Sequence, residues 1–142
     1  FIEDGLVLYQ IDAKGNRRNW GVKSGGKALD IPMVVLVNEF SASASEVFTG
    51  AIIDNDRATV IGTTTFGKGS VTNLWPLRDG SGVNFTTARW FTPNGSLIEG
   101  QGLTPDIVLE PLAEDENEDL YLDRAIEILK EELNANSQAK NR

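Results

Sequence analysis

Up to Phe91 the apolar residues come in short runs set apart by turn-forming residues. Leu6-Val7-Leu8-Tyr9-Gln10-Ile11 reads as a strand, Asp12 to Asn16 as a turn, and Trp20 and Val22 fit a partner strand. Pro32-Met33-Val34-Val35-Leu36-Val37 is a continuous apolar run rich in β-branched residues, the pattern of a central strand covered on both faces. The period then changes. Val47, Phe48, Ala51 and Ile52 recur at helical spacing, so a helix is predicted to start within Ser41 to Ser45, with Glu46 near its first turn. Ala58-Thr59-Val60-Ile61-Gly62 is another short buried strand, which makes residues 32–62 a βαβ unit. Thr63 to Ser70 reads as a Thr/Gly loop. Val71 to Leu77 and Val83 to Phe91 read as two strands joined by a turn at Arg78 to Gly82. Further turns fall at Pro93-Asn94-Gly95 and Gly100 to Pro105. Leu122, Ala125, Ile126, Leu129 and Leu133 share one face of a helix predicted over 120–133, with the tail 134–142 expected to fray.

Composition narrows the chemistry. The chain has 142 residues, 40% of them hydrophobic, enough for one domain with a core. It lacks a run long enough to cross a membrane as a helix, and it opens at Phe1 rather than at a methionine. It therefore reads as a piece of a longer protein: a core over 1–112 with its upstream part missing, then an acidic linker and helix over 113–142. There is no cysteine and no histidine. Ser-His-Asp and Cys-His catalysis within the chain are excluded, and a base must be a carboxylate or a lysine. The net charge of -8 argues against nucleic acid and anionic membrane surfaces as partners. The run Glu114 to Asp119 reads as a solvated linker.

Two segments carry candidate chemistry. Ser41, Ser43 and Ser45 stand where a buried strand turns into a helix. A nucleophile there gains from the unpaired N–H groups of the helix N-terminus, and the N–H of the following residue can donate to an oxyanion. Helix capping explains the same serines, and their alternation leaves the nucleophile's identity open. Phe66-Gly67-Lys68-Gly69-Ser70 holds a lysine between glycines that permit a tight turn. Removed from water, such a lysine can take a proton from a serine hydroxyl. An exposed loop lysine is the ordinary alternative. A rival reading takes Gly62 to Lys68 as G-x-x-x-x-G-K of a phosphate loop. Gly69 then stands where Ser or Thr belongs, and the residues after it look extended rather than helical.

Ser41-Ala42-Ser43-Ala44-Ser45-Glu46 followed by Phe66-Gly67-Lys68-Gly69-Ser70-Val71 resembles the carboxyl-terminal processing, or tail-specific, proteases of serine peptidase family S41. The resemblance continues through Thr86-Thr87-Ala88-Arg89, Thr92-Pro93-Asn94-Gly95 and Gly100-Gln101-Gly102-Leu103-Thr104-Pro105-Asp106. It implies an α/β fold of the ClpP/crotonase type, with stacked βαβ units, a mixed sheet and here a C-terminal helix. It assigns Ser43 as nucleophile, Lys68 as general base and the Ala44 N–H as an oxyanion donor, with no cofactor or metal. The usual glutamine four residues after the lysine, which orients its amine, is Thr72 here. Arg89 is expected to pair with a carboxylate, and Pro105-Asp106 to form a turn.

The resemblance also implies endopeptidase action near the C-termini of proteins, through an acyl-enzyme. Substrates would be proteins with unstructured C-termini, and a PDZ domain would lie elsewhere in the full-length chain. The setting would be the cell envelope, periplasmic or extracytoplasmic and membrane-associated. Exposed sheet edges favour self-association, so a homo-oligomer is among the expected partners. The isolated chain is expected to be weakly active or inactive. The alternative is a non-catalytic peptide-binding or scaffolding member that kept the fold.

Overall fold

The computed structural model describes residues 1–109 and 119–140. Within them the order is β1 (Leu6–Asp12), β2 (Arg17–Gly21), β3 (Val34–Val37), α1 (Ala44–Asp54), β4 (Thr59–Gly62), β5 (Ser70–Pro76), β6 (Gly82–Phe91), β7 (Ile107–Val108) and α2 (Leu120–Lys140). The strands separate by direction. A parallel sheet runs β3-β4-β7, and an antiparallel sheet runs β2-β1-β6-β5.

The parallel sheet is the βαβ unit expected from the two apolar runs, with α1 crossing from β3 to β4. Successive side chains on a strand point to opposite faces. Val37 and Val60 accordingly pack with Ile52 of α1, while Val34 and Ile61 face Ala125 and Ile128 of α2. Cover on both faces explains the lack of polar alternation in β4, which is the central strand of the three; β3, expected to be central, lies at the edge with Leu36 exposed, because β7 pairs on the other side of β4. Ile52, Val60 and Ile61 are fully buried, each side chain contributing roughly 1.5–3 kcal/mol by leaving water. Gly62 ends β4 with φ 140°, and a Cβ there would run into the Val37 carbonyl.

The third strand, β7, was not apparent in the sequence, where Pro105-Asp106 read as a turn. Asp106 docks the segment: its Oδ2 accepts the Val60 N–H at 2.8 Å. Leu109 N–H then donates to Gly62 O at 2.9 Å. The C-terminal helix also differs from expectation. It runs on to Lys140 instead of fraying after Leu133. Residues 134–140 contain neither Gly nor Pro and include Ala, Gln and Lys, which propagate a helix. The Ser137 hydroxyl returns to Leu133 O at 2.9 Å. Asp119 caps the helix start by accepting the Leu122 N–H at 3.0 Å. The acidic run at 114–118 lies outside the described residues.

In the antiparallel sheet Tyr9 stacks on Phe91 with centroids 5.2 Å apart, and the Arg17 guanidinium lies 3.6 Å over the Tyr9 ring. Pairing between β1 and β6 stops at Asp12 and Ala88, whereas β5 and β6 stay paired out to Pro76 and Gly82. Beyond β1 the sheet therefore narrows to a two-stranded ribbon, on which Leu74, Trp75, Val83 and Phe85 are all exposed.

Candidate active site

The chain leaves β3 at Val37 and reaches α1 through a tight loop. Asn38 holds that loop: its carbonyl accepts the Ser41 N–H at 2.9 Å, and its Oδ1 accepts the Phe40 N–H at 3.1 Å. The turn is completed at Ser43, the N-cap of α1, whose backbone sits at φ 59° and ψ -114°. A side-chain-bearing residue held in that region costs on the order of 1–3 kcal/mol, which the surrounding structure must supply. Ala44, the first helical residue, is exposed. Its N–H has no carbonyl one turn back inside the helix to receive it.

Glu46 supplies much of what holds Ser43 there. Its side chain is fully buried, at 0% exposure. Oε2 accepts the N–H groups of Ser43 and Lys68, both at 2.8 Å. Oε1 accepts the Gly67 N–H at 2.6 Å and the Thr65 hydroxyl at 2.7 Å. Four donors converge on one carboxyl group, which is how a buried polar side chain is made tolerable. The geometry has a direct consequence. Ser43 N and Lys68 N touch the same oxygen, so those two main-chain atoms cannot be more than twice 2.8 Å apart.

The lysine loop is clamped from its other side by residues 98–102. Gly100 N–H donates to Gly67 O at 2.8 Å, and Glu99 Oε2 accepts the Gly69 N–H at 2.7 Å. Trp90 N–H donates to Gly69 O at 2.7 Å. The fit explains both glycines. A Cβ on Gly67, where φ is 88°, would come within 2.9 Å of Gly102 N, and one on Gly69 within 2.5 Å of Glu99 N.

The structure thus brings the Ser43 and Lys68 backbones together around Glu46, with Ala44 beside them. Lys68 itself is exposed, and among the described residues its amine makes no hydrogen bond. Thr72 lies on β5, exposed, with its hydroxyl likewise unpaired among the described residues. Arg89, expected to pair, makes no ion pair among them either. Its cross-strand neighbours are Ser70 and Ile11, which offer no carboxylate. The phosphate-loop alternative finds no support, because β5 and not a helix follows the loop. Among the described residues no three Asp or Glu side chains are grouped to hold a metal ion.

Two residues escaped the sequence reading. Glu46 was noticed only as an acid near a helix start. Its Ser-x-x-Glu spacing from Ser43 is the signal that could have marked it as a reciprocal cap. Glu99 carried no local signal, since its role arises from a contact 30 positions away.

Comparison with known proteins places these features in context. The model of peptidase family S41 matches residues 1–109. A carboxy-terminal-processing protease of Bartonella bacilliformis is 45% identical over 119 residues, covering 80% of this chain and 27% of that protein. A carboxyl-terminal-processing protease of Synechocystis is 40% identical over 110 residues, covering 78% of this chain and 26% of that protein. Among solved structures, a photosystem II D1 C-terminal processing protease superposes with a TM-score of 0.74 at 40% identity, over 78% of this chain and 29% of that one. The chain thus spans about a quarter of the length of the curated relatives it matches.

Proposed function

This chain belongs to peptidase family S41, and from that footing we propose that it carries the Ser-Lys dyad of a serine endopeptidase that acts near the C-termini of proteins. The observation that carries the reading is the shared oxygen of Glu46, on which the backbones of Ser43 and Lys68 meet. The strained backbone at the strand-to-helix elbow adds to it, since strain of this kind concentrates at reactive sites.

The proposed reaction is acyl transfer. The neutral Lys68 amine takes the proton of the Ser43 hydroxyl while Oγ bonds to the scissile carbonyl carbon. The Ala44 N–H donates to the resulting oxyanion. The C–N bond then breaks, and the departing amine takes the proton back from Lys68. Water, deprotonated by the same amine, releases the acyl group and restores Ser43. Because Lys68 is exposed in this chain, the dehydration that favours its neutral form falls to the bound substrate or to flanking sequence.

Substrates in this reading are proteins with unstructured C-termini. A PDZ domain elsewhere in the full-length protein and a cell-envelope setting belong to the same proposal. In the full-length protein, Ser43→Ala and Lys68→Ala should each lower cleavage at least about a thousandfold. Wild-type turnover in either variant rejects the assigned roles.

The exposed Lys68 and the unpaired Thr72 hydroxyl favour one second reading, a non-catalytic member that binds peptides on the same fold. A fluorophosphonate separates the two, because only an activated Ser43 becomes covalently labelled.

A further inference from the structure

β5 is the outer strand of its sheet, so one of its edges is unpaired within the described residues. Hydrogen bonds at the two ends of the strand fix which groups face outward. In an antiparallel pair, hydrogen-bonded and non-hydrogen-bonded positions alternate. Leu77 N–H donates to Ser81 O at the turn, so Trp75 and Asn73 bond to β6 while Leu74 and Thr72 point away. The other end agrees: Trp90 N–H donates to Gly69 O, which turns Ser70 outward and Val71 inward. The irregularity between Val71 and Thr72 places its extra residue, Thr87, on β6, and β5 itself stays regular.

Edges of this kind are usually protected by charge, proline or a bulge. From Ser70 to Leu77 there is no charged residue, and the single proline, Pro76, stands at the far end. The near end starts two residues after Lys68. A strand added to this edge would lie ~4.8 Å from β5 and lead straight to the lysine loop. Its side chains on one face would meet Trp75, which is 65% exposed and lies opposite Val83.

We propose that the open edge of β5 holds an extended polypeptide, the substrate of the Ser43–Lys68 site, through the outward N–H and C=O groups of Thr72 and Leu74. The inference rests on the dyad reading for its purpose, but its geometry stands on the strand register alone. Backbone pairing accounts for capture of unstructured chains of varied sequence, and the exposed Trp75 favours an apolar side chain at alternate positions.

The test uses the full-length protein and β-casein, an unstructured polypeptide. Leu74→Pro removes an outward donor and leaves the β5–β6 bonds in place; Leu74→Ala controls for the lost side chain. The expected result is a fall of about tenfold or more in the kcat/KM for casein in Leu74→Pro relative to Leu74→Ala, with fluorophosphonate labelling of Ser43 within twofold in both. Equal casein cleavage by the two variants overturns the proposal. A second measurement stands apart from both catalysis and the folding of the proline variant. In Ser43→Ala, casein should slow hydrogen exchange at the Thr72 and Leu74 amides. Unchanged exchange overturns the proposal. So does protection already present without casein, which would mean that flanking sequence or a second copy of the chain covers the edge. Absence of Ser43 labelling in the wild type would sink the dyad reading instead, and the exchange measurement would still decide the edge.

Discussion

The Ser43–Glu46–Lys68 region and the outer ribbon of β5 and β6 are built on opposite terms, although only a few residues separate Lys68 from the ribbon. In the first, one fully buried carboxylate takes four hydrogen bonds, and glycines let the backbone close to contact distance. In the second, Leu74, Trp75, Val83 and Phe85 are all exposed on two strands. Groups that react must be held to within a fraction of an ångström. Groups that receive a flexible chain must be reachable. The contrast puts dense hydrogen bonding where bonds would change in the proposed reaction and exposed side chains where a partner would enter.

The sharpest way to break that contrast is Glu46→Ala. It strands three N–H groups and a hydroxyl in a buried site, so a loss of about 3 kcal/mol or more is expected in chemical denaturation. Fluorophosphonate labelling at Ser43 should fall with it, even in conditions where the protein stays folded. A stable Glu46→Ala protein labelled at the wild-type rate would mean that the carboxylate does not organise the site.

A smaller effect is expected at the glycine facing Glu99. Gly69→Ala puts a methyl against Glu99 N and Ile98 Cβ, at 2.5 and 2.8 Å. The loop must shift, and a cost of roughly 1–3 kcal/mol follows. Casein cleavage should drop mainly through kcat. Glu99→Gln, which keeps an acceptor for the Gly69 N–H, should retain far more activity than Glu99→Ala.

In the ribbon the same scale of change should matter little to folding. Trp75→Ser removes an exposed side chain, so the unfolding free energy should change by no more than about 0.5 kcal/mol. A large destabilisation would show that the ribbon is part of the core after all.

The smallest effect concerns the β1–β2 turn. The Asn16 side-chain amide, then the Asn16 and Lys14 N–H groups, hold the Asp12 carboxyl below its ordinary range. A depressed carboxylate stabilises the fold above its unfolded pKa, and that contribution fades as pH falls through the folded value. Asp12→Asn should therefore lose its difference from wild type in strongly acidic solution, as read by unfolding midpoints across pH.

Much of this was legible in the sequence, for identifiable reasons. The runs at 32–37 and 58–62 announced a parallel βαβ unit, because period and β-branching report burial, but the first run forms the edge strand β3 rather than a central one. The hairpin at 71–91 was marked by its turn residues. The Ser43 and Lys68 segments were visible as motifs. What stayed hidden depended on distance along the chain. β7 exists because Asp106 finds the Val60 N–H, 46 positions away. Glu99 matters only through Gly69. The end of α2 was misread because polar residues after Leu133 suggested fraying, while nothing there stops a helix.

The common acceptor has one more implication. Ser43 and Lys68 stand 25 positions apart, yet both are referenced to a single atom, as two surveys are tied to one benchmark. Length changes in the intervening turn at 55–58 should therefore be absorbed locally, because neither residue's position is measured along the connecting chain. For anyone transplanting this chemistry, the unit to carry is the three-point template fixed by Glu46 together with the buried α1 and β4 that hold it.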